Sequence, residues 1–260
     1  MTDPTRQTHA RPPAHVLPVH ILPQPNDETC GPTCLHSVYR YWGEDIALDN
    51  VIRETHSLDR DNAGRGTLAV MLGVHALSRG YHAILYTFNL QVFDPTWFGD
   101  DARAHPAYLA ERLDAQARAK ADHDPRFPVA TEFYLRFLKA GGEIRFRDLT
   151  SGLIASCIRD QKPVLTGLSA TYLYRCAREY GPSDDYDDIR GFPAGHFVVL
   201  HGYDPATRRV TVADPLADNP GFVSQRYTVP MARLVPAIML GVLTYDANLL
   251  VIHPGESTTP

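Results

Sequence analysis

The sequence is poor in cysteine, in net positive charge and in long apolar runs. Its four cysteines, Cys30, Cys34, Cys157 and Cys176, are too few for a disulfide-stapled scaffold, so we expect free thiols. The net charge of −5 makes general attraction to nucleic acid or to an anionic membrane surface unexpected. No apolar run approaches the ~18 residues of a membrane helix, and the N-terminus has no apolar signal segment. These absences predict a soluble, cytoplasmic protein.

The composition is that of an ordinary globular protein, with 44% hydrophobic and 21% charged residues in 260. Residues 1–18 contain four prolines and few apolar side chains, which predicts a mobile tail. We expect one domain over residues 19–255, because no repeat or linker divides that range. Within it, residues 93–142 change character to a loop and two charged or amphipathic helices, and we interpret them as an insertion that shapes the substrate site.

Helices are predicted early in the sequence and strands late, without regular alternation, which favours an α+β fold. A helix is expected from about Gly31, where apolar residues follow a spacing of three and four. Apolar runs predict strands over 81–88, 162–174 and 248–254, and a helix over 229–240. GHFVVLHGYD (195–204) and RRVTVADP (208–215), separated by a short turn, predict an antiparallel hairpin.

Cys30 is a candidate nucleophile because it stands at the start of the first predicted helix. Free backbone N–H groups and the positive end of the helix dipole favour a thiolate at such a position. Taken alone, Cys30 is more simply read as a small buried hydrophobic residue, the commonest role of a free cysteine.

The predicted hairpin supplies a base for this thiol. If its turn centres near Ala206, Asp214 lies opposite Val198 and diagonal to His196 on the same face. Diagonal neighbours are about 7 to 8 Å apart at Cα, within reach of a carboxylate–imidazole hydrogen bond. A register slip of one residue would break the pair. His201 is the rival base, but it is expected on the opposite face.

Three ordered motifs, QPNDETCGPTC (24–34), GHFVVLHGYD (195–204) and RVTVADP (209–215), resemble those of the bacteriocin-processing cysteine peptidases. This papain-like family removes double-glycine leaders, and the chain is most similar to its free-standing members. The resemblance implies a papain-like fold with the nucleophile at a helix N-terminus packed on an antiparallel sheet. It implies that Cys30 is the nucleophile, His196 the general base and acid, and Asp214 the group that orients His196. Gln24, six residues before Cys30, is implied as an oxyanion-hole donor.

The resemblance predicts hydrolysis of a peptide bond through a thioester acyl-enzyme, without cofactor or metal. The same residues also permit acyl transfer, as in papain-like acyltransferases of biosynthetic pathways, if an amine rather than water attacks the thioester. The substrate is therefore expected to be a peptide or a small acyl compound. A peptide-binding module without turnover is a further alternative, which the intact set of four residues disfavours. The sequence indicates no oligomeric state.

Other clusters have simpler interpretations. Cys30 and Cys34 are spaced C-x-x-x-C and not the C-x-x-C of thiol redox sites. With His36 they lack a second ligand pair at zinc-like spacing. The acidic run over 183–188 could bind a basic peptide or a cation, but such runs are usually solvated loops.

Overall fold

The computed structural model describes residues 14–58, 67–120, 126–244 and 246–255. Its helices are α1 (Cys30–Tyr41), α2 (Leu48–Leu58), α3 (Ala69–Ser78), α4 (Pro106–Lys120), α5 (Arg126–Lys139), α6 (Ser151–Arg159), α7 (Ala170–Tyr174) and α8 (Met231–Met239). Its strands are β1 (His15–Val16), β2 (Tyr81–Thr87), β3 (Glu143–Arg145), β4 (Val164–Ser169), β5 (Glu179–Tyr180), β6 (Asp185–Tyr186), β7 (Gly195–Asp204), β8 (Arg209–Ala213), β9 (Arg226–Pro230) and β10 (Asn248–Pro254). Short 3-10 helices span Pro95–Trp97 and Leu240–Thr244. Among the described helices, none is long and apolar enough to cross a membrane.

The main sheet has the strand order β3-β2-β10-β4-β7-β8-β9, and β1 adds to β7. Every pair in it is antiparallel except β2 with β3. β5 and β6 form a separate two-stranded ribbon. The expected α+β fold, with helices packed on an antiparallel sheet, is confirmed.

β7 and α1 form the centre of the molecule and position its chemistry. β7 is buried from His196 to Gly202, and its apolar, β-branched run suits a strand covered on both faces. α1 is buried from Cys30 to Tyr39 and contacts β7. The Cys34 thiol donates a hydrogen bond to the Phe197 carbonyl at 3.3 Å. The first turn of α1 therefore lies against the beginning of β7.

The predicted mobile tail over 1–18 is wrong at its C-terminal end. Residues 1–13 lie outside the described residues, but β1 pairs with Gly202 and Tyr203 of β7. Leu17 is buried, and its backbone N–H donates to the His201 carbonyl at 2.7 Å. These hydrogen bonds and this apolar burial hold the segment on the sheet, so the domain begins earlier than residue 19.

The strand predicted over 162–174 ends at Ser169 and is followed by α7. The Ser169 hydroxyl accepts a hydrogen bond from the Tyr172 backbone N–H at 3.3 Å, which caps this short helix. Arg175, at φ +59°, ends it in the left-handed region. The prediction failed because apolar residues alone do not distinguish a strand from a short buried helix.

Two other segments also differ from expectation. The acidic run contains β6 and is therefore half of a ribbon and not wholly a loop, and β9 was not predicted at all. α4 and α5, in the predicted insertion, contact each other, and α5 contacts α3. Phe137 of α5 is fully buried, so this part of the chain contributes to the core. That residues 93–142 are an insertion stays a prediction.

Candidate active site

Cys30 is the first residue of α1 and is 9% exposed. The turn before it is closed by its own side chains: the Thr29 hydroxyl donates to the Asn26 carbonyl at 2.9 Å and accepts from the Asn26 N–H at 3.2 Å. The Asn26 side chain accepts from the Glu28 N–H at 3.1 Å. This turn directs Cys30 to the end of a helix where backbone N–H groups have no partner within the helix.

His196 is the second residue of β7 and is 7% exposed. Its Nε2 lies 2.8 Å from Oδ1 of Asp214, and the Cys30 thiol is close enough to the ring to help raise its pKa. Because Asp214 occupies Nε2, Nδ1 is the nitrogen left for the thiol. The structure thus brings together the cysteine, the histidine and the aspartate that the sequence singled out.

Asp214 follows β8 and is 0% exposed. Val199 pairs with Ala213 and Leu200 with Val212, in agreement with the predicted register. A bulge at His201 shifts the remaining pairs by one residue, on the side of the hairpin away from Asp214. The register at the site therefore depends on the strand pairing nearest to it and not on the turn.

Four donors surround the Asp214 carboxylate. His196 and the Leu216 backbone N–H, at 2.9 Å, lie on Oδ1. The Tyr174 and Tyr227 hydroxyls donate to Oδ2 at 2.8 Å and 2.6 Å. Sequence reasoning missed both tyrosines. The alternating RYTVP of β9 was an available signal for Tyr227, whereas no local pattern pointed to Tyr174.

The protonation of the pair is decided by opposing effects. Burial by itself raises the pKa of Asp214. The charge and hydrogen bond of His196, together with the hydrogen bonds from the Tyr227 hydroxyl and the Leu216 backbone N–H, outweigh burial and lower this pKa. Burial lowers the pKa of His196, yet Asp214 beside it, with Cys30, raises that pKa above its ordinary value. The Asp214 carboxylate therefore stabilises a proton on the His196 ring.

Gln24 lies at the same corner of the molecule. Its backbone N–H donates to the Pro215 carbonyl at 2.9 Å, next to Asp214. Its side-chain Nε2 donates to the Asn26 carbonyl at 3.0 Å. Oε1 is buried without a hydrogen-bond partner among the described residues. Service as an oxyanion-hole donor would require Nε2 to leave Asn26, so that role stays a prediction.

The side chains of the other candidates, His201, His36 and Cys34, hydrogen-bond to backbone carbonyls. His201 bonds through Nδ1 to the Leu17 carbonyl at 2.8 Å, and His36 through Nε2 to the Ile46 carbonyl at 3.1 Å. Burial raises the pKa of the Cys34 thiol, and Cys30 and Asp214 nearby raise it further. In the described part of the chain, no group of three or more His, Cys, Asp or Glu side chains is arranged to hold a metal ion.

Residues 140–234 match the model of the Peptidase_C39 like family. The matched range is less than half of the chain and contains His196 and Asp214, while Gln24 and Cys30 precede it. It confirms the resemblance to the bacteriocin-processing peptidases for the part of the site on β7 and β8. No curated protein matches the chain.

Several solved structures are similar to this chain at low identity. A C39-like peptidase from Bacillus anthracis is 13% identical, with a TM-score of 0.41, over 93% of this chain and 98% of its own. A double-glycine-motif protease from an AMS/PCAT transporter, in complex with the leader peptide, is 14% identical, with a TM-score of 0.39, over 93% and 95%. Xylellain, a cysteine protease from Xylella fastidiosa, is 13% identical, with a TM-score of 0.37, over 95% and 88%. At TM-scores below 0.5, these likenesses carry no weight for function.

Proposed function

We propose that the protein is a cysteine peptidase that hydrolyses a peptide bond through a thioester acyl-enzyme. Cys30 is the nucleophile, His196 the general base and acid, and Asp214 the residue that positions His196. The observation that carries this proposal is the buried His196 ring, which is hydrogen-bonded to Asp214 and lies near Cys30 at the start of α1. A nucleophile, a base and a group that orients the base are the parts that covalent hydrolysis needs.

The reaction proceeds in two steps. Cys30 passes its proton to His196, and its sulfur attacks the scissile carbonyl carbon. The C–N bond then breaks, and the leaving amine takes the proton from His196, which leaves an acyl group on Cys30 as a thioester. A water molecule gives a proton to His196 as its oxygen attacks the thioester. The acid product departs, and the proton returns to the sulfur.

Both steps pass through a tetrahedral oxyanion, which needs hydrogen-bond donors. The Cys30 backbone N–H is one candidate, because it is the first N–H of α1. The Gln24 amide is the second, after it leaves the Asn26 carbonyl. In comparable hydrolases, one such donor contributes about 3 to 4 kcal/mol to transition-state stabilisation. Acyl transfer, the alternative from the sequence, has no support in the family match.

The first test is intact-mass measurement of alkylation by limiting iodoacetamide between pH 5 and 9. At pH 6 an unassisted thiol is below about 1% thiolate and reacts slowly. We expect one fast adduct in the wild type at pH 6, lost in Cys30→Ala and at least about tenfold slower in His196→Ala. Cys34→Ser and Cys157→Ser are matched controls at buried thiols and should leave the rate unchanged.

Slow labelling of every cysteine in the wild type, with no change in His196→Ala, would contradict the proposed pair. The peptide-binding alternative would then be favoured. A positive result is followed by assays with quenched fluorogenic peptides, in which Cys30→Ala must abolish cleavage.

A further inference from the structure

A pocket of about 360 Å³ lies beside the site but belongs to none of the catalytic groups. It is built from the end of β4, from α7 and the residues after it, from the turn before β7, and from the 3-10 helix Leu240–Thr244. Its lining includes Ser169, Tyr172, Arg175, Arg178, Leu240 and Leu243. The walls are therefore apolar or hydroxyl-bearing, and the charged groups are both arginines.

Both arginines retain guanidinium hydrogen-bond donors for a ligand. Neither Arg175 nor Arg178 forms an ion pair with a carboxylate in the described part of the chain. Among the described residues, the Arg178 guanidinium donates to the Asp188 backbone carbonyl, and its charge helps to lower the pKa of Asp187. Arg175 is exposed and follows the last turn of α7. A guanidinium is always charged and presents donors in a planar fork that fits a carboxylate.

Three connections along the chain and the sheet link the pocket lining to the proposed catalytic residues. Ser169 pairs directly with Gly195, the residue before His196. Pro193 precedes His196 by three residues. α7 carries Tyr174 onto Asp214, while its neighbours Tyr172 and Arg175 line the pocket. A peptide with its scissile bond at Cys30 has this pocket within reach of a nearby side chain or terminus.

We propose that this pocket binds a carboxylate of the peptide substrate and makes the enzyme selective for acidic peptides. The inference rests on the proposed peptidase function and extends it to a substrate class. Arg175 and Arg178 hold the carboxylate, and Leu240 and Leu243 contact the methylene groups that carry it. The carboxylate belongs to a side chain of Asp or Glu type or to the peptide C-terminus, and the chemistry of recognition is the same for both.

The acidic run over 183–188 lies nearby and by itself would favour basic peptides, the opposite selectivity. Its members do not line the pocket, and the Asp187 carboxylate is already paired with Arg190 at 2.6 Å. The concave surface therefore presents positive charge, and the acidic run lies on the ribbon outside it. Concave, partly apolar sites with a few charged groups are where small groups bind.

The test uses hexapeptide pools with one position fixed as Glu, Gln or Lys, blocked at both termini, and a Gln pool with a free C-terminus. Quenched fluorogenic pools report kcat/KM for the wild type. Fluorescence polarisation of labelled pools on Cys30→Ala reports binding without turnover. The variants are Arg175→Gln with Arg178→Gln, and the charge reversal Arg175→Glu with Arg178→Glu. Arg118→Gln, an exposed arginine on α4, is the matched control.

We expect the wild type to prefer Glu over Gln at one position by about tenfold or more, as hydrogen bonds to a charged group allow. The double Gln variant should lose this preference and still cleave the Gln pool. The charge-reversal variant should prefer the Lys pool. Arg118→Gln should behave as the wild type. If the wild type prefers the Gln pool with a free C-terminus and does not prefer the blocked Glu pool, the recognised carboxylate is that of the C-terminus.

The inference would be overturned if the Glu and Gln pools are cleaved and bound equally well and a free C-terminus improves neither cleavage nor binding. A wild-type preference for Lys, or a Glu preference that survives in the double Gln variant, would also overturn it. Selective binding without cleavage of any pool means that the pocket holds its carboxylate and that the proposed peptidase function fails. Cleavage of the pools without selectivity means that the peptidase function stands and that the pocket does not recognise a carboxylate.

Discussion

Two aspartates are buried to nearly the same extent and behave in opposite ways. Asp214 is 0% exposed and Asp246 is 4% exposed. Asp214 lies between His196, two tyrosine hydroxyls and a backbone N–H. In the described part of the chain, Asp246 accepts hydrogen bonds from the Ala69 N–H, at the start of α3, and from Asn248 Nδ2 at 2.9 Å. Burial outweighs these two donors and raises the pKa of Asp246 to about 7, whereas the pKa of Asp214 is lowered.

The difference shows that burial does not decide the charge of a carboxylate by itself. A buried carboxylate stays ionised when a cation and enough donors replace the water that it has lost. Asp214 has both and can hold an imidazolium. Asp246 has neutral donors only, and it serves the fold by capping α3. Three experiments separate the two sites.

The largest effect is expected for Asp214→Asn, which removes the charge from His196 and retains the shape of the side chain. We expect alkylation of Cys30 at pH 6 to slow, and kcat/KM on a cleaved peptide pool to fall by about 10²- to 10⁴-fold. Asp246→Asn is the matched control at the other buried aspartate and should retain activity within about threefold. Equal losses in both variants would mean that Asp214 acts only on stability, and far-UV circular dichroism checks that each variant is folded.

A smaller effect is expected for Asp246→Asn on the pH dependence of stability. The unfolded aspartate has a pKa near about 3.9, and the folded one is raised to about 7. Between these values the folded state binds more protons, so this group lowers the free energy of unfolding as pH rises from about 4 to about 7. At about 1.4 kcal/mol for each pKa unit, the total reaches about 4 kcal/mol.

The measurement is urea unfolding of wild type and Asp246→Asn at pH 4 to 8. The free energy of unfolding of the variant, relative to that of the wild type, should increase as pH rises. A loss of stability that is the same at every pH does not affect this trend. Asp214 and His196 do not contribute to this difference. Asp214 stabilises the folded state above its unfolded pKa, and this contribution is lost as pH falls through its lowered folded pKa. His196 stabilises the folded state below about pH 6.5, and this contribution is lost as pH rises through its raised folded pKa. A difference that is constant with pH would refute the assignment.

The smallest effect is expected for Tyr227→Phe and Tyr174→Phe, which each remove one donor from Asp214. Other donors remain, so each change should slow alkylation of Cys30 by no more than about fivefold, equivalent to about 1 kcal/mol. Because the Tyr227 hydroxyl helps to lower the pKa of Asp214, its loss should move the acid-induced loss of stability to higher pH. Tyr203→Phe on β7 is the control, and an identical pH profile in Tyr227→Phe would exclude a positioning role.

The proposed catalytic pair, His196 and Asp214, was predictable because it depends on local order. Alternation along β7 and β8 puts His196 and Asp214 on one face, and the predicted pairing of Val198 with Asp214 continues the observed register at Val199. The bulge at His201 was not predictable, since the apolar pattern runs through it without a break. The pattern of 162–174 likewise did not reveal that Ser169 caps α7.

The sequence by itself determined the α+β class, the helix that begins at Cys30 and the hairpin that joins His196 to Asp214. Each follows from the period of apolar residues or from a turn of a few residues. Only the tertiary structure decided that Tyr174, 40 residues from Asp214, reaches its carboxylate. It also decided that Arg175 and Arg178 share a pocket with Leu240. These contacts join segments far apart in the chain, and the packing of α7 and the 3-10 helix against β4, which no local pattern encodes, brings them together.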